Sequence, residues 1–375
     1  MSAVERQGER VTKRPLRLLV ICPSWLGDAV MATPALRLLR DALPGAFIGG
    51  LMRPGLDDLL AGTQLLDEMH VGQSSGVMGP KRLASKVRGR GYDTALLLTN
   101  SFSTALAVRM AFIDRRVGYD RDGRGFLLTD RIRPEKRADP GGRGGGRGFA
   151  CVSAVEYYLR AARVVVGAAP PRAAGAPDRP IQLELGLTPS QQAAAKSLLE
   201  RAGVRDGDPY AVINPGANNP AKRWPADRFA QAALWLVKEQ GLKVLINGSP
   251  GEAELGREIM HLTSGAGPED VVALSALGVT IGSLKGVVRG SKLMLTNDTG
   301  PRHIAAAFGV PTVTLYGPTD PRWTTLPGGA DHRRVEVLAE PNLPEGQVAD
   351  DHPDLCRIDR IQVATVLEAM AKILK

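Results

Sequence analysis

The chain is poor in cysteine: Cys22, Cys151 and Cys356 are odd in number, far apart and without a C-x-x-C pair. Neither a disulfide framework nor a zinc site is indicated, and the compartment is expected to be reducing. The polar start MSAVERQGERVTKRP leads into an apolar run too short for a signal-peptide core or a membrane span. The expectation is a soluble, cytoplasmic protein. No G-x-G-x-x-G follows a strand-like run, and G-K-[ST] and H-E-x-x-H do not occur. These absences disfavour classical dinucleotide enzymes, P-loop nucleotidases and zinc proteases.

What is present is a chain of 375 residues, 43% hydrophobic, long enough to bury two cores. Two domains make a cleft. Lys and Arg outnumber Asp and Glu by 48 to 39, a formal charge of +9 that favours an anionic partner: nucleic acid, a membrane surface or an acidic substrate. Charge alone does not choose among them.

The stretch Leu293 to Pro318, LMLTNDTGPRHIAAAFGVPTVTLYGP, reads as strand, tight turn, helix, strand. Thr299 or Gly300 serves as N-cap, Pro301 suits the first helical position, and Gly309 ends the helix before Pro311. Such a turn presents free backbone N–H groups and the positive end of a helix dipole to the crevice at the strand's carboxyl end, where phosphorylated ligands bind. Asp298 and His303 flank it. Asp298 either caps the turn or accepts bonds from sugar hydroxyls, and both residues are equally well read as ordinary turn and helix residues.

In chain order, Leu16–Cys22 is a buried strand and Ala29–Leu43 a helix, with PSWLGDA between them. Asp28 is either the helix N-cap or a side chain delivered to the cleft. Ala46–Met52 and Thr94–Leu98 read as further strands, and Lys81–Arg90 as a solvated helix. The polar run Thr99 to Thr104 is a substrate-facing loop or an N-cap cluster. Arg131–Gly148, RIRPEKRADPGGRGGGRG, is too rich in Gly to order without a partner; it is a mobile loop or, as a minority alternative, an RGG-type RNA-binding segment. A helix with Tyr157 and Tyr158 follows, and Gly167–Pro180 reads as a linker.

The second half opens with a helix in Leu187–Gly203 and a strand Tyr210–Ile213 that runs into NPGANNPAKRWP. There Lys222 and Arg223 precede a helix start, as a phosphate site or as solvated charge. Lys243–Asn247 is a strand, after which Glu252 and Glu254 open a helix, complementing its dipole or binding ribose hydroxyls. Ile361–Leu374 is an amphipathic helix.

Taken together, PSWLGD, NSFSTAL, PGANNPAKRWP and TNDTGPRHIAAAFGVPTVTLYGPTDP resemble the ADP-heptose:lipopolysaccharide heptosyltransferases of glycosyltransferase family 9, and most of all the type II members. The resemblance implies an α/β chain with a GT-B fold, two Rossmann-like domains facing across a cleft: residues 1–170 for the acceptor, a linker at 171–180, residues 181–350 for the ADP-sugar, and a helix within 351–375 packing back on the first domain. It implies inverting, metal-independent transfer of L-glycero-D-manno-heptose from ADP-heptose to the inner core of lipopolysaccharide, with no cofactor beyond the donor substrate. Asp28 matches the family's proposed base, Lys222 the lysine near the donor diphosphate, and Asp298, Thr299, Gly300 and His303 the D-[ST]-G-x-x-H donor motif. Glu254 matches a carboxylate on the donor's sugar side. The anionic glycolipid acceptor implies peripheral association with the inner membrane surface, and nucleic acid is not an expected partner. The alternatives are a related family 9 enzyme with another acceptor or sugar, and a non-catalytic glycan- or RNA-binding protein.

Three features depart from the family pattern. The PGANNPAKRWP loop is one residue short with Asn218 at a usually acidic position, Pro301 and Arg302 replace an apolar pair, and the Arg/Gly tract is not a family feature.

Overall fold

In the computed structural model the described residues are 15–135, 149–167, 180–267, 269–327, 334–338 and 354–375. Leu18 to Ile21 are all buried, as a strand covered on both faces of a parallel sheet must be. They belong to β1 (Arg17–Ile21), which lies between β2 (Phe47–Met52) and β4 (Thr94–Leu97), with Val20 facing Gly50 on one side and Leu96 on the other. Adding β3 (Glu68–Val71), β5 (Arg115–Tyr119) and β6 (Asp130–Ile132) completes a parallel sheet in the order β3-β2-β1-β4-β5-β6. The second half repeats the plan with β7 (Tyr210–Asn214), β8 (Lys243–Ile246), β9 (Val271–Ala273), β10 (Leu293–Asn297), β11 (Thr312–Tyr316) and β12 (Arg334–Leu338), in the order β12-β11-β10-β7-β8-β9. Each sheet reverses its winding once, between β1 and β4 and between β7 and β10. Crevices open at the strands' carboxyl ends at those two points.

Helices Thr33–Ala42 and Ala154–Val166 cover one face of the first sheet, and Gly79–Val87 with Phe102–Met110 the other. The first of these cores runs on into the second half, through Leu198, Val212, Leu284, Met294 and Ile304. Polar contacts reinforce that junction. Asp58 accepts from Gly282 N at 2.6 Å and from Gln191 Nε2 at 2.6 Å. The buried Lys285 ammonium donates to the carbonyls of Leu59 (2.9 Å) and Ala61 (2.8 Å), at the end of helix Leu56–Leu60 where a cation is favoured.

Several expectations need correction. Among the described residues the C-terminal helix Val363–Leu374 packs on the second half and not back on the first: Val366, Ala369 and Met370 join the core beneath the second sheet. Trp224 Nε1 and Arg228 Nη1 hold the Ile361 carbonyl just before it, at 3.0 and 2.7 Å. Residues after 180 do not at once join the second half, because Glu184 takes two bonds from the Arg37 guanidinium, at 2.9 and 2.5 Å, and its N–H meets Thr33 Oγ1. The start of the Arg/Gly tract, Arg131 and Ile132, is edge strand β6. Its remainder, 136–148, and nearly all of the 171–180 linker lie outside the described residues.

Candidate active site

The turn after β1 leads into the helix Leu26–Met31, whose N-cap is Trp25. Asp28 therefore sits inside the first turn and not at the cap. Its Oδ1 accepts from the Tyr158 hydroxyl at 3.1 Å, a bond supplied by the helix Ala154–Val166. Burial, with Asp298 adding repulsion, pushes the Asp28 carboxyl above its ordinary value, against the Tyr158 bond and the Lys222 charge. A carboxylate raised by burial beside a cavity is what a general base requires.

Across from it, β10 delivers Asn297, Asp298 and Thr299 to the start of the helix Gly300–Ala307. The Thr299 side chain makes no capping bond; its Oγ1 accepts from Asn214 Nδ2 at 2.9 Å instead. Pro301 has no N–H and the Arg302 N–H turns back to the Thr299 carbonyl at 3.3 Å, so what the helix presents to the cavity is its Gly300 end and the positive end of the dipole. Asp298 does not cap the turn. Its carboxylate accepts from Arg302 Nη1 at 3.0 Å, Lys222 Nζ at 3.2 Å and Thr319 Oγ1 at 3.1 Å. Burial opposes ionisation there, but the Arg302 guanidinium and the Lys222 ammonium outweigh it and hold the carboxyl below its ordinary value. His303 is fully enclosed, its Nδ1 has no partner, and burial lowers its pKa to about 3, so the ring is neutral.

The two half-sites touch. A Cβ on Gly27 would lie 2.6 Å from His303 Cδ2, and one on Gly300 would lie 3.1 Å from Leu26 Cβ. Only glycine lets the helices meet this closely. Between and beside them is a cavity of about 650 Å³ whose walls include Asp28, Lys222, Asp298, Thr299, Gly300 and His303. A second cavity of about 250 Å³ meets the first at Asp28 and is bounded by Asn100, Tyr119, Tyr157, Arg160 and Trp323. Glu135, within the Arg/Gly tract, and Phe149, just after it, border it as well.

Six of the seven site residues singled out in the sequence thus converge on one cavity. Glu254 does not: it points into solvent and pairs with Arg257, while Glu252, two residues earlier, lines the cavity and bonds Ser249 N at 2.9 Å. Of the Lys222–Arg223 pair only the lysine faces the site, because Arg223 Nε holds the Ala217 carbonyl at 2.9 Å. Two features went unread. Asn214, Asn247 and Asn297 end or follow three adjacent strands, and they tie the loops together through Asn247 Nδ2 to Asn214 Oδ1 (2.6 Å) and Asn297 Nδ2 to the Pro215 carbonyl (2.7 Å). Arg124 is wholly buried and secures the 99–100 loop through Asn100 Oδ1 at 3.1 Å. The repeated strand-ending Asn was a usable signal, whereas nothing local marked Arg124.

Two doubly wound α/β halves that present their carboxyl ends to a shared cleft, with a cation and a helix N-terminus on one wall and a carboxylate on the other, define a GT-B glycosyltransferase fold. A family model described as glycosyltransferase family 9 (heptosyltransferase) matches residues 81–351. Lipopolysaccharide heptosyltransferase 2 of Salmonella typhimurium is 31% identical over 320 residues, 82% of this chain and 85% of that protein. Lipooligosaccharide heptosyltransferase 2 of Haemophilus influenzae is 30% identical over 88% of this chain and 90% of its own. The solved structure of Escherichia coli ADP-heptose lps heptosyltransferase II superposes with a TM-score of 0.75 at 25% identity, covering 96% of this chain and 98% of that one. The chain belongs to glycosyltransferase family 9.

Proposed function

We propose that the protein transfers a heptose from ADP-heptose to the inner core of lipopolysaccharide, as a type II heptosyltransferase, with inversion at the anomeric carbon and without a metal ion. The observation that carries this reading is the placing of Asp28 and the Lys222–helix N-terminus pair on opposite walls of one cavity, in a chain related over most of its length to lipopolysaccharide heptosyltransferases.

Inversion requires an acceptor hydroxyl to attack from the face opposite the departing ADP while a base removes its proton. Asp28, held through Oδ1 by Tyr158, keeps Oδ2 for that proton. Negative charge grows on the leaving diphosphate, and the positive end of the Gly300–Ala307 helix with the Lys222 ammonium stabilises it. Lys222 is then shared between Asp298 and the diphosphate. Glu252, on the cavity wall, is placed to accept from a ribose hydroxyl. The cavity beyond Asp28, with its aromatic and arginine lining, takes the acceptor sugar. The acceptor is a lipid-anchored anion, so the enzyme works at the cytoplasmic face of the inner membrane, drawn there by its positive charge. No helix among the described residues is long and apolar enough to cross a membrane.

Calorimetry with ADP in excess EDTA tests the metal-free donor site. Binding is expected to persist in EDTA and to weaken about tenfold to a hundredfold in Lys222→Met, the loss of one charge-assisted phosphate contact. Loss of ADP binding on chelation would overturn the metal-free part of the reading.

A further inference from the structure

Loops at the carboxyl end of the first sheet carry an apolar rim outside the cleft. Val77, Met78, Phe102 and Phe126 are 97%, 51%, 44% and 66% exposed. Single exposed apolar residues are ordinary, but these belong to three loops that hold one another. Phe102 and Phe126 meet ring to ring with centroids 6.0 Å apart. Ser103 Oγ donates to Ser74 Oγ at 3.1 Å, which draws the 72–78 loop against the start of the Phe102–Met110 helix, and the Arg82 guanidinium pins the same loop to the Gly79–Val87 helix through the Ser75 carbonyl at 2.7 Å.

Two of the three segments around the rim carry charge of one sign. Residues 72–82 and 99–110 include Lys81, Arg82 and Arg109 and no Asp or Glu, while the 120–127 turn is balanced, with Asp120 and Asp122 against Arg121 and Arg124. Just inside the rim is a further cavity of about 250 Å³ lined by Ser24, Arg53, Ser74, Thr99 and Thr104. An apolar edge flanked by cations matches the boundary between phosphate headgroups and acyl chains.

We propose that Val77, Met78, Phe102 and Phe126 dock the protein on an anionic phospholipid bilayer, the apolar side chains entering below the headgroups while Lys81 and Arg82 meet the phosphates. The inference rests on the reading of the substrate as a lipid-anchored glycolipid, which makes a bilayer the surface the cleft must approach. Docking by this rim holds the mouth of the first half at the headgroup level, where the acceptor core emerges. It also explains why the rim stays apolar on a chain with many charged residues to spare.

Sedimentation with vesicles tests this without any acceptor. The intact chain is expected to bind mixed phosphatidylglycerol–phosphatidylethanolamine vesicles, to bind pure phosphatidylcholine weakly, and to be released by raised salt. Val77→Asp with Phe126→Asp should cut vesicle binding by at least about tenfold, since each change replaces an inserted apolar group by an anion. Turnover on a delipidated, soluble acceptor should stay at the parental level, which shows that the variant is folded. Absence of vesicle binding by the parent, or equal binding by the double variant, overturns the proposal. So does a parental dimer that the same substitutions split, because the rim is then an interface between copies. Failure of the transferase reading is separable, since these vesicles carry no glycolipid and the readout is mass bound, not turnover.

Discussion

Replacing Asp28 by Asn separates the proposed role of base from every structural duty that side chain has. Asn is nearly isosteric, and its amide oxygen can still accept from the Tyr158 hydroxyl, now 3.1 Å from Oδ1, so a bond of about 0.5–1.5 kcal/mol is kept. The residue is not the N-cap, a place Trp25 holds, so no capping energy is at stake. Because burial disfavours the Asp28 carboxylate, the neutral amide removes a desolvation penalty as well. Stability should therefore be unchanged or slightly raised. ADP affinity should hold too, since the contacts proposed for the diphosphate come from Lys222 and the Gly300–Ala307 helix. Only proton removal is lost, at a cost of about 10² to 10⁴ in kcat. The parent's kcat/KM should rise with pH through the Asp28 pKa, above the usual carboxylate range, and the variant should lack that limb. The assay is turnover of ADP-heptose with a truncated core acceptor across pH, beside thermal melts and ADP calorimetry. Near-parental turnover in a folded Asp28→Asn protein would refute the assignment.

Two further outcomes concern the buried charges of the second half. Arg302→Leu removes a guanidinium that is 1% exposed and 3.0 Å from Asp298, so urea unfolding should show a loss of about 3 kcal/mol; Lys222 and Thr319 remain on the carboxylate and keep the cost at the low end for a broken buried pair. His303 has a folded-state pKa of about 3 against an ordinary 6.5, so the unfolded chain takes up the proton first, and its contribution to stability is complete above pH 6.5 and is lost as pH falls from there towards 3. Between pH 6.5 and pH 5 the parent should lose roughly 2 kcal/mol more than His303→Gln, and equal slopes would refute the buried neutral ring.

The strands were legible because a parallel sheet buries both faces and writes itself as a continuous apolar run, as at Leu18–Ile21 and Leu293–Leu295. Short edge strands such as β3 and β6 were not, since Glu68 and Asp130 break the run. Within the site, local turn chemistry placed Thr299 and Gly300 but misjudged neighbours whose partners are distant. Asp298 looked like a turn residue because Arg302, Lys222 and Thr319 come together on it only in the folded chain. Glu252 and Glu254 are two positions apart, so a helix start turns them to different sides, and sequence spacing alone could not say which side meets Gly216. The Tyr158–Asp28 bond spans 130 positions, a pairing for which no periodicity exists.

The contact between Gly27 and Gly300 makes the candidate reaction centre part of the seam between the halves. The same seam is fastened where Lys285 enters the end of the Leu56–Leu60 helix and where Asp58 accepts from Gly282, and one core runs through it. Asp28 and Thr299 each lie one residue from that glycine contact, so their spacing is set by how closely two backbones approach and not by a flexible side chain. Any side chain larger than hydrogen at position 27 or 300 would push the two helices apart there, and the misalignment is expected to appear in kcat.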